Sequence, residues 1–200
     1  MHSDGKDMEL PYKIILASNS PRRRELLAGL GLDFTVKVIS GIDESWPEEL
    51  RGQDIPLYIS RAKAAPYKES LAPDELVITA DTIVYVDGEV LGKPADKADA
   101  GRMLHLLSGR WHEVITGVTL LTADSEHSFA VTTRVRFGNL SDDEINSYVE
   151  SGLPMDKAGA YGIQEWIGYI GVEAIEGSYF NVVGLPVQRL YRELLTFCKQ

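Results

Sequence analysis

Serine and arginine side chains are grouped at a point where an apolar run ends. Residues 14–17 are apolar and predict a buried strand, and Ser20 followed by Pro21 predicts the start of a helix. Such a start offers backbone N–H groups and the positive end of the helix dipole, so it attracts anions. Ser18, Arg22 and Arg23 add hydroxyl and guanidinium donors, and a guanidinium can bind two phosphate oxygens. The pattern indicates a phosphate-binding turn, and a solvated basic helix start is the alternative.

Carboxylates and a lysine form a second group. Asp81 follows the apolar run 76–80, where a carboxylate can reach a crevice over a sheet. Glu44 follows a second predicted strand, and Lys93 precedes a proline in a loop. Asp81 and Glu44 could share one hydrated Mg²⁺, which usually takes only one or two protein carboxylates. For each acid alone, a loop cap or a solvated charge is the alternative.

A third candidate is Gln164, in the glycine-rich stretch 157–181. Glycine allows a ligand to approach the backbone closely, and an amide side chain carries both a donor and an acceptor. Gln164 therefore suits the imide edge of a pyrimidine. A purely structural turn is the alternative.

The composition excludes several classes of function. The net charge of −10 over 200 residues argues against binding nucleic acid over the whole surface. One cysteine, Cys198, cannot form an internal disulfide and fits a reducing compartment, so we expect a cytoplasmic protein. No apolar run is long enough to cross a membrane, and no P-loop motif occurs. His105 and His112 lack metal-ligand spacing.

The elements that must position these residues alternate between strands and helices. This order predicts an α/β or α+β domain with a mixed sheet. We expect a flexible leader over residues 1–11 and one domain over residues 12–200. The predicted strands are 14–17, 34–38, 76–80 with its extension over 83–86, 111–122 and 128–137, and the predicted helices are 21–28, 54–69, 97–107, 141–150 and 185–197.

Five blocks of the sequence resemble, in order, the signatures of the Maf family of nucleoside triphosphate pyrophosphatases. Together they extend over nearly the whole chain, so the resemblance is very specific. The blocks are residues 15–27, residues 80–82 with 92–94, residues 108–109 with 116–118, residues 156–164, and residues 177–179 with 181–186.

The resemblance implies an elongated mixed β-sheet flanked by helices, shared with the inosine triphosphate pyrophosphatases, with the substrate in a cleft between two lobes. It implies hydrolysis of a nucleoside triphosphate to the monophosphate and pyrophosphate with a divalent cation, Mg²⁺ or else Mn²⁺ or Co²⁺. It also implies a homodimer. From the net charge and the lack of a long apolar run we expect no nucleic-acid or membrane partner.

The resemblance also assigns roles to individual residues. It implies that Asp81 is the general base or metal-linked acid and that Glu44 is a supporting carboxylate. The alignment is loosest at Lys63, because Lys68 lies about one helical turn further on. The implied phosphate ligands are Ser18, Arg22, Arg23, Lys63 and Lys93, and the residues linked to base choice are Thr82, Gln164 and Arg22.

The block that contains Gln164 is similar to the branch of the family that acts on dTTP, UTP and modified uridine triphosphates. The branch that acts on 7-methyl-GTP tends to carry a glutamate there. One alternative is therefore a 7-methyl-GTP or non-canonical purine triphosphate pyrophosphatase, and another is a nucleotide-binding regulator of division or stress with weak catalysis. Glu165 and Trp166 stand where a glycine is common, which could alter the base pocket.

Overall fold

The computed structural model describes residues 10–199, so most of the predicted leader lies outside the described residues. Seven strands and seven α-helices are interspersed along this part of the chain. The strands are β1 (Lys13–Leu16), β2 (Phe34–Val36), β3 (Glu75–Val86), β4 (Glu89–Leu91), β5 (Trp111–Leu121), β6 (Glu126–Phe137) and β7 (Val172–Glu176). The helices are α1 (Pro21–Ala28), α2 (Asp54–Ala64), α3 (Lys97–Leu107), α4 (Asp142–Glu150), α5 (Trp166–Gly171), α6 (Tyr179–Val183) and α7 (Val187–Phe197).

The seven strands form one mixed sheet in the order β2-β1-β3-β5-β6-β7, with β4 paired to β3. Strand β1 pairs in parallel with both β2 and β3, whereas β4 is antiparallel to β3 and β7 is antiparallel to β6. The turn between β3 and β4 has positive φ at Asp87 (50°) and Gly88 (86°), the geometry that a two-residue hairpin requires. The predicted mixed α/β fold is confirmed.

Several helix starts follow from local sequence. Ser20 accepts a hydrogen bond from the N–H of Arg23, and Pro21 occupies the first helical turn, as predicted. Ser141 and Glu144 form the predicted capping box at the start of α4. The predicted helix over 54–69 is α only to Ala64 and continues as a 3₁₀ helix, because Pro66 has no N–H to donate.

The chain divides into two compact units. The first comprises residues 10–81, 116–131 and 184–199 of the described chain. Its core joins one face of β1 and β3 to α1 and α7. The fully buried members include Leu16, Leu27, Leu76, Ile78, Leu190 and Leu194.

The second unit comprises residues 82–115 and 132–183. Its core packs α3 and α4 against β5 and β6, and it includes aromatic side chains. Among its buried members are Leu104, Leu107, Phe137, Ile145, Tyr161 and Ile167. The glycine-rich stretch from residue 157 contains α5, β7 and α6, which the sequence did not predict as elements.

A buried histidine lies in this second core. His112 is 2% exposed, and its Nε2 lies 2.7 Å from the hydroxyl of Tyr161. The ring contacts Phe137 and Tyr161 edge to face, with centroids 5.2 and 5.4 Å away. Burial lowers the pKa of His112 to about 4, so the imidazole is neutral at pH 7.

We expect this histidine to make stability depend on pH. The folded pKa lies below the ordinary value of 6.5, so the unfolded chain binds the proton more tightly, and stability falls as the pH drops from about 6.5 towards 4. Between pH 7.5 and 5.0 the His112 contribution to this loss is about 2 kcal/mol. Urea unfolding at the two pH values measures it.

The control for His112 is His105, which is half exposed on α3. The His112→Gln variant should lose less stability between the two pH values than the wild type does. The His105→Gln variant should keep the wild-type pH dependence. An unchanged pH dependence in His112→Gln would show that His112 is not the group responsible.

Within residues 10–199, every helix is too short or too polar to cross a lipid bilayer.

Candidate functional site

The turn between β1 and α1 is hydrogen-bonded within itself. The Ser18 hydroxyl is buried and accepts from the N–H of Ser20 at 3.2 Å, and the Ser20 hydroxyl accepts from the N–H of Arg23 at 3.4 Å. The turn therefore already uses backbone N–H groups that we expected to face an anion. An anion at this turn would therefore depend more on the side chains of Arg22 and Arg23 than the sequence suggested.

Arg23 is fixed by two backbone carbonyls. Its Nε donates to Gly184 O and its Nη1 donates to Ala80 O, both at 2.8 Å. Burial lowers the pKa of the guanidinium, the charge of Asp81 opposes this shift, and the like charge of Arg22 adds to it. Arg23 therefore links the turn to β3 and places a cation beside Asp81.

Asp81, Glu44 and Lys63 form the closest charged group among the predicted residues. Lys63 Nζ lies 2.7 Å from Asp81 Oδ1 and 3.2 Å from Glu44 Oε1. Asp81 and Lys63 are largely buried, whereas Glu44 is exposed. Lys63 is therefore the lysine that contacts both carboxylates.

Asp81 lies within β3, because residues 83–86 extend the strand 76–80 as predicted; its carboxylate is therefore not at the strand end that was also considered. Strand β3 continues from Glu75 to Val86 without a break. Six of the eight residues from Val77 to Val84 are β-branched, which favours extended backbone on both sides of this point. Asp81 is 8% exposed, so the sheet holds its carboxylate rigidly at Lys63.

Hydrogen bonds at Ser60 hold helix α2, which carries Lys63, in place. Thr79 Oγ1 donates to Ser60 O at 2.7 Å, and the Ser60 hydroxyl lies 2.9 Å from the hydroxyl of Thr119. A Cβ added to Gly117 would lie 2.3 Å from Pro56 O, so only glycine permits this close approach of β5 to α2. The close approach at Gly117 gives a structural reason for this glycine of the signature block 116–118, which the sequence alone did not show.

The segment before Glu44 is held by hydrogen bonds to Tyr67, which is 1% exposed. Its hydroxyl donates to Lys37 O at 2.8 Å and accepts from the N–H of Ile39 at 2.9 Å. The chain between β2 and Glu44 is therefore anchored at two points. Tyr67 was not singled out from sequence, because its partners are backbone groups about 30 residues away.

Asp81 and Glu44 are a suitable pair for a divalent cation. Both carboxylates reach one ammonium, so both can face one cation position. Residues 10–199 contain no cluster of three or more histidine, cysteine or acidic side chains that could hold a metal. Two protein carboxylates with water and substrate oxygens is the ligand set that Mg²⁺ usually takes.

The other three predicted residues belong to the second unit. Thr82 follows Asp81 in β3, and Lys93 is exposed in the loop after β4. The side chains of Lys93 and Gln164 make no hydrogen bond or ion pair within the described chain. Gln164 Oε1 is nevertheless buried, and it has no hydrogen-bond partner among these residues. A buried acceptor without a donor is costly, so Gln164 has the chemistry of a ligand contact.

Comparison with known proteins identifies the family of this chain. A family profile described as "Maf-like protein" matches residues 13–197. The chain belongs to the Maf family. Bacterial Maf relatives named dTTP/UTP pyrophosphatase include one from Phocaeicola vulgatus, 61% identical over 92% of this chain and 95% of its own length. Another, from Parabacteroides distasonis, is 60% identical over 93% of this chain and 96% of its own length.

A solved structure supports the fold. The structure of a HAM1 protein from Coxiella burnetii covers 92% of this chain and 99% of its own, with a TM-score of 0.50 and 16% identity. At this identity the likeness concerns the fold alone. It agrees with the expectation that the Maf sheet is shared with that group of proteins.

The sequence missed one polar cluster near Gln164. Lys157, Tyr148 and Glu165 are joined by hydrogen bonds and an ion pair, and Lys157 is only 7% exposed. A lysine inside the signature block 156–164 was the one available signal. Asn181, in the last signature block, donates to Val114 O and to Thr133 Oγ1, both at 3.1 Å.

Proposed function

We propose that this Maf protein hydrolyses nucleoside triphosphates to the monophosphate and pyrophosphate, and that dTTP and UTP are its preferred substrates. The observation that carries the proposal is the contact of Lys63 with both Asp81 and Glu44, beside the guanidinium of Arg23. The name of the relatives, dTTP/UTP pyrophosphatase, supports the choice of substrate.

Cationic and hydroxyl side chains bind the triphosphate in this proposal. Arg22, Arg23 and Lys63 neutralise phosphate oxygens, and Ser18 donates from the turn before α1. Lys93 is an exposed lysine with no ion pair among the described residues, so it is available to a phosphate. Phosphoryl transfer needs such positioning and charge neutralisation more than covalent participation by the protein.

Asp81 accepts the proton of the attacking water. Lys63 donates to Oδ1, so Oδ2 takes that proton while the water oxygen bonds to the α-phosphorus. The bond from the α-phosphorus to the bridging oxygen breaks, and pyrophosphate leaves with the electron pair. Asp81 and Glu44 would hold a divalent cation, which supplies charge neutralisation at the phosphate oxygens. Lys63 holds the two carboxylates in place.

Thr82 and Gln164 belong to the recognition of the base. Uracil and thymine present an N–H donor between two carbonyl acceptors, and an amide can satisfy a donor and an acceptor together. The unpartnered Gln164 Oε1 is the acceptor that this N–H requires. Cytosine lacks that N–H and carries an acceptor at N3, so it fits less well.

A substrate panel tests the function. Pyrophosphate release is measured with the common triphosphates, dTTP, modified uridine triphosphates, 7-methyl-GTP and inosine triphosphate, each with Mg²⁺, Mn²⁺ or Co²⁺ and with chelator. The highest kcat/KM is expected with dTTP and UTP. A preference for 7-methyl-GTP or inosine triphosphate would overturn the substrate choice, and no turnover with any of them would favour the regulator.

Arg22→Ala is expected to raise KM for UTP by about tenfold, with a smaller effect on kcat, because a charged hydrogen bond to phosphate is lost. Steady-state kinetics measure both constants. Arg24→Ala is the matched control, since Arg24 is exposed on the same helix and has no assigned role. If the two variants have the same KM, Arg22 does not bind phosphate.

The homodimer and the cytoplasmic location also belong to this proposal. The family resemblance supports a homodimer, and exposed aromatic side chains of the second unit, such as Trp166 and Tyr169, are compatible with one. A nucleotide-pool substrate and the single cysteine support the cytoplasm.

A further inference from the structure

A buried lysine fixes the start of the segment that carries Gln164. Lys157 Nζ donates to Leu153 O and to Asp156 Oδ1, both at 2.6 Å, and it lies 2.9 Å from Glu165 Oε1. A largely buried ammonium is stable only when its protons are paired in this way. The lysine therefore connects the beginning of the segment to Glu165, the residue directly after Gln164.

A tyrosine completes the connection. Tyr148, in α4, donates its hydroxyl to Glu165 Oε2, and the same hydroxyl accepts from the N–H of Gly162 at 3.2 Å. Burial and the adjacent carboxylate raise the pKa of Tyr148, so its proton stays on the phenol. Gly162 and Glu165, which lie on either side of Gln164, are thus held by one hydroxyl.

The segment around Gln164 is tightly packed. A Cβ at Gly162 would lie 2.8 Å from Glu165 Cδ and 2.9 Å from Lys157 Cε. The Glu165 N–H donates to Gly162 O at 3.0 Å, and the Glu165 carbonyl accepts from the N–H of Gly168 at 2.9 Å. The backbone around Gln164 is therefore fixed by side chains and not by the segment alone.

Gln164 itself makes no side-chain hydrogen bond that would orient it. Its Oε1 is buried without a partner in the described chain. The direction of the amide therefore depends on the backbone that carries it, and this backbone is held by Lys157, Glu165 and Tyr148. A recognition group needs such supporting residues if it is to keep one orientation.

We propose that Lys157, Glu165 and Tyr148 are positioning residues that hold the Gln164 amide in one orientation and so set the choice between uracil and cytosine. The proposal rests on the proposed function, in which Gln164 contacts the base. A fixed amide presents Oε1 to the N3–H of uracil and rejects cytosine, which has an acceptor at N3. A loosened amide can rotate by 180° and accept either base.

Tyr148→Phe tests this directly, because it removes the hydroxyl and keeps the ring. We expect the ratio of kcat/KM for UTP to that for CTP to fall by about tenfold, mainly through a higher KM for UTP. Competitive inhibition by inorganic tripolyphosphate, which has no base, should not change. Tyr169→Phe makes the same chemical change at a tyrosine that is 81% exposed, and it should keep the wild-type ratio.

Glu165→Gln is a second, independent test, since it keeps the side-chain length and removes the charge that pairs with Lys157. Its control is Glu150→Gln, which removes the charge from the exposed pair with Lys97. The Glu165 variant should lower the UTP-to-CTP ratio and the Glu150 variant should not. Melting temperatures identify folded variants, and if one test variant does not fold, the other decides.

The outcomes separate this proposal from the proposed function. A wild-type protein without triphosphate hydrolysis overturns both. A wild-type protein that prefers UTP, with folded Tyr148→Phe and Glu165→Gln variants that keep its UTP-to-CTP ratio, overturns the positioning role alone. Equal losses of kcat/KM with UTP and CTP, together with weaker inhibition by tripolyphosphate, would show a general structural role. That result would also overturn the positioning role.

Discussion

Replacing Asp81 with asparagine is expected to lower kcat for dTTP and UTP by a factor of about 10² or more. Asparagine has nearly the same volume and still offers an oxygen to Lys63, which now lies 2.7 Å from Asp81 Oδ1. It cannot take a proton from water at neutral pH, and it is a poorer ligand for a divalent cation. The change therefore removes the chemistry while it preserves most of the packing. Pyrophosphate release at saturating substrate measures kcat.

The control is Asp74→Asn, because Asp74 pairs with Lys13 at 2.7 Å on the exposed end of the same sheet. It should retain wild-type turnover. A melting temperature close to that of the wild type shows that the Asp81 variant is folded. If a folded Asp81→Asn protein keeps nearly full dTTP and UTP turnover, the assignment of Asp81 as the proton acceptor is wrong.

Gln164→Glu is expected to lower kcat/KM for UTP by about 10²-fold, because the site loses a donor and gains a charge at a buried position. The carboxylate would face carbonyl acceptors of uracil, and its Oε1 would occupy a place that is already buried without a protein partner. The same carboxylate suits the N–H donors of a guanine. Activity with 7-methyl-GTP relative to UTP should therefore increase.

Gln188→Glu makes the same change on the exposed surface of α7 and should leave the substrate preference unaltered. Competition between UTP and 7-methyl-GTP in one reaction gives the ratio of their kcat/KM values directly. An unchanged ratio in a folded Gln164→Glu protein would remove Gln164 from base recognition and leave the selectivity to other residues.

Local sequence predicted the elements whose ends are set by nearby residues. Ser20 and Pro21 mark the start of α1, and Ser141 with Glu144 marks the start of α4. Asp87 and Gly88 mark the hairpin between β3 and β4. Each of these signals acts over about four residues, so it is readable without tertiary contacts.

Elements without such local signals were missed or misjudged. The stretch that contains α5, β7 and α6 is rich in glycine, and its order depends on partners such as Tyr148 and Thr133 that lie far away in sequence. A polar residue after an apolar run suggested a strand end at Asp81, although residues 83–86 were expected to extend that strand. Pairing within the sheet continues β3 through this position.

The sequence by itself determined the family, the mixed α/β class and the identity of the charged residues. These follow from ordered signature blocks and from periodic apolar patterns, both of which are properties of the linear chain. Only the tertiary structure decided which charges meet. Lys63 reaches Asp81 because hydroxyl contacts at Ser60 fix α2 against the sheet, and Arg23 is bound by carbonyls 57 and 161 residues away. Hydrogen bonds and packing between distant segments set these distances, and no local pattern encodes them.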